Sequence, residues 1–314
     1  MPKLSVIICT YNRADSIKEI LDCLSFQEFI ENFEIIVVDN NSQDNTKSLV
    51  GSFELKFNGK LRYYFEPKQG KTYALNLGIK ESRGEIIVFI DDDCLVDKDH
   101  LFKIDQAFQE YGAEIGIVGG KILPVWGKIA KPEWIIELKS GWWNNSFFNG
   151  PVGIFDHGDK PFIIDHANRI HRNITFFGAN TAIRKNLFDK YGYFNNEKTV
   201  GEDTEMCLRL MGAGIKGLYA PGIIVRHKVE AEKITPEYFY HWYYLRGQLL
   251  EVQDKYKRKS YHPFGISWAL LLGTAMLWVK SVFTVPLSLR IYYKSHALFN
   301  AGQISQIVNK KCYL

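Results

Sequence analysis

The residues best equipped for chemistry stand together at Asp91-Asp92-Asp93. Three consecutive carboxylates repel one another, so a fold that keeps them ionised must bring positive charge to them. A divalent cation is one source. Carboxylates are hard oxygen ligands suited to Mg²⁺ or Mn²⁺, and such ions commonly bridge one or two protein carboxylates to phosphates. A second acidic pair, Glu202-Asp203, follows Gly201 and opens a helical pattern through Met206, Leu208, Leu210 and Met211. Acids at a helix start are favoured by the helix dipole whatever their use. A carboxylate there can also act as a general base on a hydroxyl within hydrogen-bond reach. His227 follows the short apolar run Ile223-Ile224-Val225, and imidazole suits Mn²⁺ better than Mg²⁺.

These groups need a scaffold. Gly84 to Ile90 is an apolar run rich in β-branched residues, read as a strand buried on both faces, and the acidic triplet lies at its carboxyl end. Ligands of parallel α/β sheets bind at that end, which argues against a merely solvated acidic turn. Leu4-Ser5-Val6-Ile7-Ile8-Cys9, Glu34 to Asp39 and Leu61 to Phe65 read as three further strands. A helical pattern (Ile17, Ile20, Leu21, Leu24) separates the first two, and Gly70 to Ile79 reads as a helix start. Strands alternating with helices imply a doubly wound, mainly parallel sheet.

A dinucleotide fold of the glycine-fingerprint type is excluded, because Cys9-Thr10-Tyr11-Asn12-Arg13 after the first strand holds no glycine. A Walker A loop is missing too. A nucleotidyltransferase would need a glycine- and Arg/Lys-rich first loop for a triphosphate, and residues 9–13 lack it. Any nucleotide must be held by side chains and metal.

The ordered set of motifs resembles the family 2 glycosyltransferases. It runs through Leu4 to Arg13, Val37-Val38-Asp39-Asn40-Asn41-Ser42-Gln43-Asp44, Gly70-Lys71-Thr72-Tyr73-Ala74-Leu75-Asn76 and Phe89-Ile90-Asp91-Asp92-Asp93. It continues through Phe177-Gly178-Ala179-Asn180-Thr181, Gly192-Tyr193-Phe194 and Gly201-Glu202-Asp203-Thr204-Glu205, and ends near His227. The resemblance implies the GT-A fold over residues 1–230, with a nucleotide-binding half over about 1–120 and an acceptor half over about 121–230. It implies an inverting, metal-dependent transfer from a nucleotide-diphospho-sugar, UDP-sugar favoured, to a saccharide or lipid-linked saccharide of the cell envelope. Asp39 is then expected at the base, with Thr10, Tyr11, Asn12 and Arg13 walling the nucleotide, Lys71 near phosphate, and Asn76 in the donor-binding set. Asp91 is expected near the ribose, and Asp93 and His227 on the metal. Alternation along an extended segment would aim Asp91 and Asp93 the same way. Asp92 is counted with the donor-binding residues but would point elsewhere. Asp203, with Glu202 beside it, is the expected general base. Helix capping is the plainer use of Asp39, Ser42 and Asp44. A catalytically silent membrane scaffold is the rival reading, and the intact acidic groups oppose it.

Residues 119–165 carry Trp126, Trp134, Trp142, Trp143, Phe147 and Phe148, either an acceptor groove or an aromatic cluster under a long loop. Residues 231–314 form a helical, basic and apolar tail. They hold 11 Lys/Arg against 4 Asp/Glu, whereas the first 230 hold 28 against 31. Within the tail, Arg246-Gly247 resembles a recurring Arg-Gly in related enzymes, where a cation reaches the diphosphate. The QxxRW motif of processive synthases is missing, which favours single additions. The uncharged run 264–279 falls short of the ~20 residues that span a bilayer. With its flanking cations it suits a helix lying on an anionic membrane surface. Five widely spaced cysteines without a CxxC pair suggest a reducing compartment. The expected location is therefore cytoplasmic and peripheral at the inner membrane face. No nucleic-acid module appears, and homo-oligomerisation is left open.

Overall fold

The computed structural model describes residues 2–29, 33–137, 154–166, 176–196, 201–254 and 268–311. The chain divides into two compact units, Met1–Val125 with Gly153–Lys228, and Trp126–Val152 with Val229–Leu314. The segment Trp126–Val152 thus groups with the C-terminal region, not with the acceptor half in which the sequence places it.

The first unit carries the sheet. Its strands are β1 (Leu4–Thr10), β2 (Phe33–Asp39), β3 (Leu61–Phe65), β4 (Ile86–Phe89), β5 (Cys94–Val96), β6 (Ile115–Val125), β7 (Phe162–Ile164), β8 (Thr181–Arg184) and β9 (Lys216–Lys228). Helices α1 (Ala14–Ser25), α2 (Thr46–Ser52), α3 (Glu54–Phe57), α4 (Lys71–Glu81) and α5 (His100–Glu110) lie between the early strands. The second unit contributes α6 (Glu133–Glu137), the first unit α7 (Asn186–Tyr191) and α8 (Glu202–Gly212).

The sheet order is β3-β2-β1-β4-β8-β6-β9-β5, with β7 paired to β9. The parallel part read from the strand–helix alternation is β3-β2-β1-β4. Every residue of β2 is buried, as a strand covered on both faces requires. On α1, Ile17, Ile20, Leu21 and Leu24 turn inward at helical spacing. Beyond β4 the sheet is mixed: β8 runs antiparallel to β4 and β6, β6 parallel to β9, and β5 antiparallel to β9.

Register aligns the site. Thr10 pairs with Asp39 across β1 and β2, so the first two loops leave the sheet side by side. Chain direction puts the end of β4 on the same edge, where the acidic triplet follows. The short β5 then sets Cys94 opposite His227.

The second unit also contains α9 (Pro236–Asp254), α10 (Trp268–Phe283) and α11 (Leu287–Lys311). Helices α9 and α11 meet backbone to backbone. A Cβ on Gly247 would fall 2.0 Å from the Phe299 carbonyl oxygen, and one on Gly302 would fall 2.1 Å from that of Tyr244. Trp134 is buried with its ring edge-on to Phe239 at 4.9 Å, so this tryptophan is packing within the second unit. Trp142, Trp143, Phe147 and Phe148 lie outside the described residues. Among the described residues, no helix is long and apolar enough to cross a membrane.

His100 opens α5, which packs on β9, and is 1% exposed. Burial pushes its pKa down to about 4. The unfolded chain therefore takes up the proton first as pH falls from about 6.5 to 4, and stability falls with it. Urea unfolding should show wild type losing about 2 kcal/mol more than His100→Leu between pH 7.5 and pH 5.

Candidate active site

The acidic triplet is a turn, not a continuation of the strand: β4 stops at Phe89 and β5 begins at Cys94. This overturns the expected alternation. Asp92 and Asp93 converge on Arg13, and Asp91 turns toward Lys71. Arg13 Nη1 stands 3.2 Å from Asp92 Oδ1 and 3.0 Å from Asp93 Oδ2. The Thr10 hydroxyl donates to Asp92 Oδ2 at 2.7 Å. Burial, against the pull of Arg13 and Thr10, pushes the Asp92 carboxyl up to about 6. With both oxygens engaged by Thr10 and Arg13, Asp92 ties the first loop to the turn.

Asp93 is 5% exposed and His227 9%. His227 Nε2 lies 3.3 Å from Asp93 Oδ1, and the Lys228 N–H donates to the Asp93 carbonyl at 2.9 Å. His227 Nδ1 is buried without a hydrogen-bond partner. Antiparallel pairing of β5 with β9 brings these two residues, 134 positions apart in sequence, to one place. Among the described residues, no cluster of three or more His, Cys, Asp or Glu forms around a common point. A cation held by this oxygen–nitrogen pair would keep its other positions for water or phosphate, the usual way such ions bind substrate. The pair fits that use.

The loops around this edge of the sheet brace each other. Asp39 is 2% exposed; its Oδ1 accepts the Ser42 N–H at 2.8 Å and its Oδ2 the Tyr63 hydroxyl at 2.8 Å. Each oxygen retains a lone pair for one further donor. Asn12 adopts a left-handed backbone, φ 51°, and links loops: its N–H donates to Ser42 Oγ and its Oδ1 accepts the Gln43 N–H. Tyr11 beside it is 46% exposed. Asp44 caps, as expected, but at two helix starts, accepting the N–H groups of Ala14 and Thr46. Asn40 was missed in the sequence. It accepts the Gly70 N–H and donates to the Glu66 and Lys68 carbonyls, fixing the loop that delivers Lys71. A buried asparagine has one acceptor and two donors to satisfy, and its place directly after Asp39 was the available signal.

Lys71, at the start of α4, reaches across the site. Its Nζ is 2.8 Å from Asp91 Oδ1 and 3.5 Å from Glu202 Oε1. Burial opposes its charge, but Asp91, Glu202 and Asp203 outweigh that and hold its pKa well above the ordinary lysine value. Burial raises the Glu202 carboxyl and so does Asp203, while Lys71 draws it down. Gly201 supplies the left-handed turn, φ 74°, that starts α8 at this pair. Asp203 Oδ2 accepts the Gly178 N–H at 2.9 Å and Oδ1 that of Thr204 at 2.5 Å. Lys71, Asp91, Glu202 and Asp203 line one cleft with Cys9 and Phe194.

One expected donor contact, Asn76, is engaged elsewhere. Asn76 is committed to Phe194, donating to its carbonyl at 2.9 Å and accepting its N–H at 2.9 Å. It holds the cleft-lining Phe194 and does not itself line the cleft. Arg246 belongs to the second unit, with its guanidinium 5.1 Å from the Trp242 ring centre. Gly247, next to it, serves the close helix crossing.

Removing the Lys71 charge should free the Glu202 carboxyl to hold its proton to higher pH. In Lys71→Met, the Glu202 midpoint read by carboxyl-labelled NMR should rise above its wild-type value, and an unchanged midpoint would show that Lys71 does not draw it down.

A family model described as glycosyl transferase family 2 matches residues 5–192. The glycosyltransferase AglE of Haloferax volcanii is 32% identical over 123 residues, 39% of this chain and 40% of that protein. The GalNAc(5)-diNAcBac-PP-undecaprenol beta-1,3-glucosyltransferase of Campylobacter jejuni is 39% identical over 95 residues, 30% of each chain. This chain thus spans well under half the length of these curated relatives. Among solved structures, the mannosyltransferase PcManGT of Pyrobaculum calidifontis, in complex with GDP-Man and Mn²⁺, superposes with a TM-score of 0.61 at 20% identity. That match covers 99% of this chain and 87% of the other. Staphylococcus aureus TarS in complex with UDP-GlcNAc gives 0.57 at 18%, over 99% and 92%. These likenesses show the GT-A type of fold. The match over residues 5–192 establishes the kinship: the chain belongs to glycosyl transferase family 2.

Proposed function

We propose that the chain is an inverting, metal-dependent glycosyltransferase. It moves a sugar from a nucleotide-diphospho-sugar, UDP-sugar favoured, to a saccharide or lipid-linked saccharide acceptor of envelope polysaccharide synthesis. It does so from a peripheral position at the inner face of the cell membrane. One observation carries the reading: the end of β4 gathers the Asp93–His227 pair, Asp91 and the Lys71-bridged Glu202-Asp203 pair on one edge of the sheet. The relatives' names supply the class of chemistry, nucleotide-sugars in two structures and a lipid-linked acceptor in the Campylobacter protein.

In this reading Asp39 accepts an N–H of the base and Asp91 a ribose hydroxyl. The exposed Tyr11 ring and the loop held by Asn12 wall the nucleotide. Asp93 and His227 would hold Mn²⁺ or Mg²⁺, which, when bound, neutralises the developing charge of the departing diphosphate. Asp203 removes the acceptor hydroxyl proton as that oxygen attacks the anomeric carbon. Its two backbone N–H bonds, from Gly178 and Thr204, fix the carboxylate's aim and leave lone pairs for the hydroxyl. Glu202 and Lys71 keep neighbouring charge in balance. Arg13 holds Asp92 and Asp93 in the turn.

Asp203→Asn should lower transfer by about 10²–10⁴-fold while donor affinity stays within about threefold. Transfer at the wild-type rate would remove Asp203 as the base. Asp93→Ala should weaken donor binding in the presence of Mn²⁺ at least about tenfold by calorimetry, with little change in EDTA. Unchanged affinity would take Asp93 out of the cation site.

A further inference from the structure

Among the described residues, one face of helix α10 meets no partner. Thr274 and Ser281 are buried on the side that packs against α11, their hydroxyls donating back to the carbonyls of Leu270 and Trp278. On the opposite face Leu272, Met276, Val279 and Phe283 recur at i, i+4, i+7 and i+11 and are 63%, 58%, 56% and 79% exposed. Val282 and Val285 widen the stripe at 64% and 89% exposure. Single exposed apolar side chains are ordinary, but a continuous helical stripe marks a docking surface.

Charge identifies the occupant. Lys280 lies on the same helix and Arg290 near the start of α11, both exposed. The sequence from Lys255 to Leu314 holds no aspartate or glutamate. A second copy docked through this face would press two purely cationic helix pairs together. An anionic surface would relieve that charge. Length bears on the mode of contact. The sixteen described residues of α10 extend about 24 Å as a helix, less than the roughly 30 Å of a bilayer core.

We propose that α10 lies in the headgroup layer of an anionic membrane. The Leu272–Met276–Val279–Phe283 stripe enters the acyl boundary, and Lys280 and Arg290 sit among the lipid phosphates. Trp278, 39% exposed, is placed at the edge of the stripe, where tryptophan favours the interface. This rests on the peripheral location proposed above and not on the transfer chemistry.

The test is flotation of the whole chain with vesicles of phosphatidylcholine alone or mixed with phosphatidylglycerol. The protein should float with the mixed vesicles, bind neutral ones weakly and be released by salt. Met276→Glu with Phe283→Glu should abolish flotation with an unchanged melting curve, because both positions are exposed. Lys280→Gln and Arg290→Gln should each weaken binding about fivefold on mixed vesicles and barely at all on neutral ones. Failure of the wild-type chain to bind mixed vesicles would overturn the proposal. So would equal binding by the double-glutamate variant. A dimer in sedimentation equilibrium that the same variant dissolves would assign the face to a second copy instead. Retained transfer to a water-soluble acceptor by the double-glutamate variant would separate loss of docking from loss of the enzyme.

Discussion

Three carboxylates on one turn constrain everything around them. Two unit charges 4 Å apart repel by about 4 kcal/mol at the effective dielectric of a protein surface. The fold meets this with partners from three separate elements. Arg13, from the loop after β1, sits between Asp92 and Asp93. Lys71, from the start of α4, takes Asp91. His227, near the end of β9, faces Asp93. Each reaches the turn only because the parallel strands end on one edge and β9 pairs with β5. Loosening any of these pairings would leave a carboxylate unpartnered in a partly buried place, which raises its pKa and removes it from service as an anion.

The same economy of charge couples the two sides of the cleft. Lys71 contacts Asp91 on one side and Glu202, beside the proposed base, on the other. Its ammonium is therefore committed to carboxylates in this structure, where the sequence suggested phosphate. Arrival of a donor diphosphate would compete for it. The loops that hold these groups are fixed by buried side chains with both ends satisfied, Asn40 under the Lys71 loop and Asn76 behind Phe194.

Much of this was legible in the chain. The buried strands, the strand-end position of the acids and the Gly201-Glu202-Asp203 helix start follow from local periodicity and turn chemistry, which need no distant partner. His227 and Asp93 were paired by resemblance, and β-strand register then brought them within 3.3 Å. What failed was side-chain direction where the backbone leaves regular structure. Alternation predicts facing only along an extended segment, and the chain turns at Asp92-Asp93. Asn76 sits on a helix whose buried face was not readable from a short window. Gly247 answers to a helix crossing formed by residues more than 50 positions later, which its neighbours in sequence do not announce. The mixed strands beyond β4 depend on long-range pairing that no local pattern encodes.

The central claim is that the acidic turn cradles a nucleotide-sugar and its cation. Thermal unfolding against nucleoside diphosphates and nucleotide-sugars, each with Mn²⁺, Mg²⁺ or EDTA, tests it directly. A ligand at about 100 times its dissociation constant adds roughly 2.7 kcal/mol of stability, enough to move the melting temperature by several degrees. The account predicts such a shift for one base family, present with the cation and lost in EDTA. A folded protein whose melting temperature no nucleotide moves, with either metal, would contradict it.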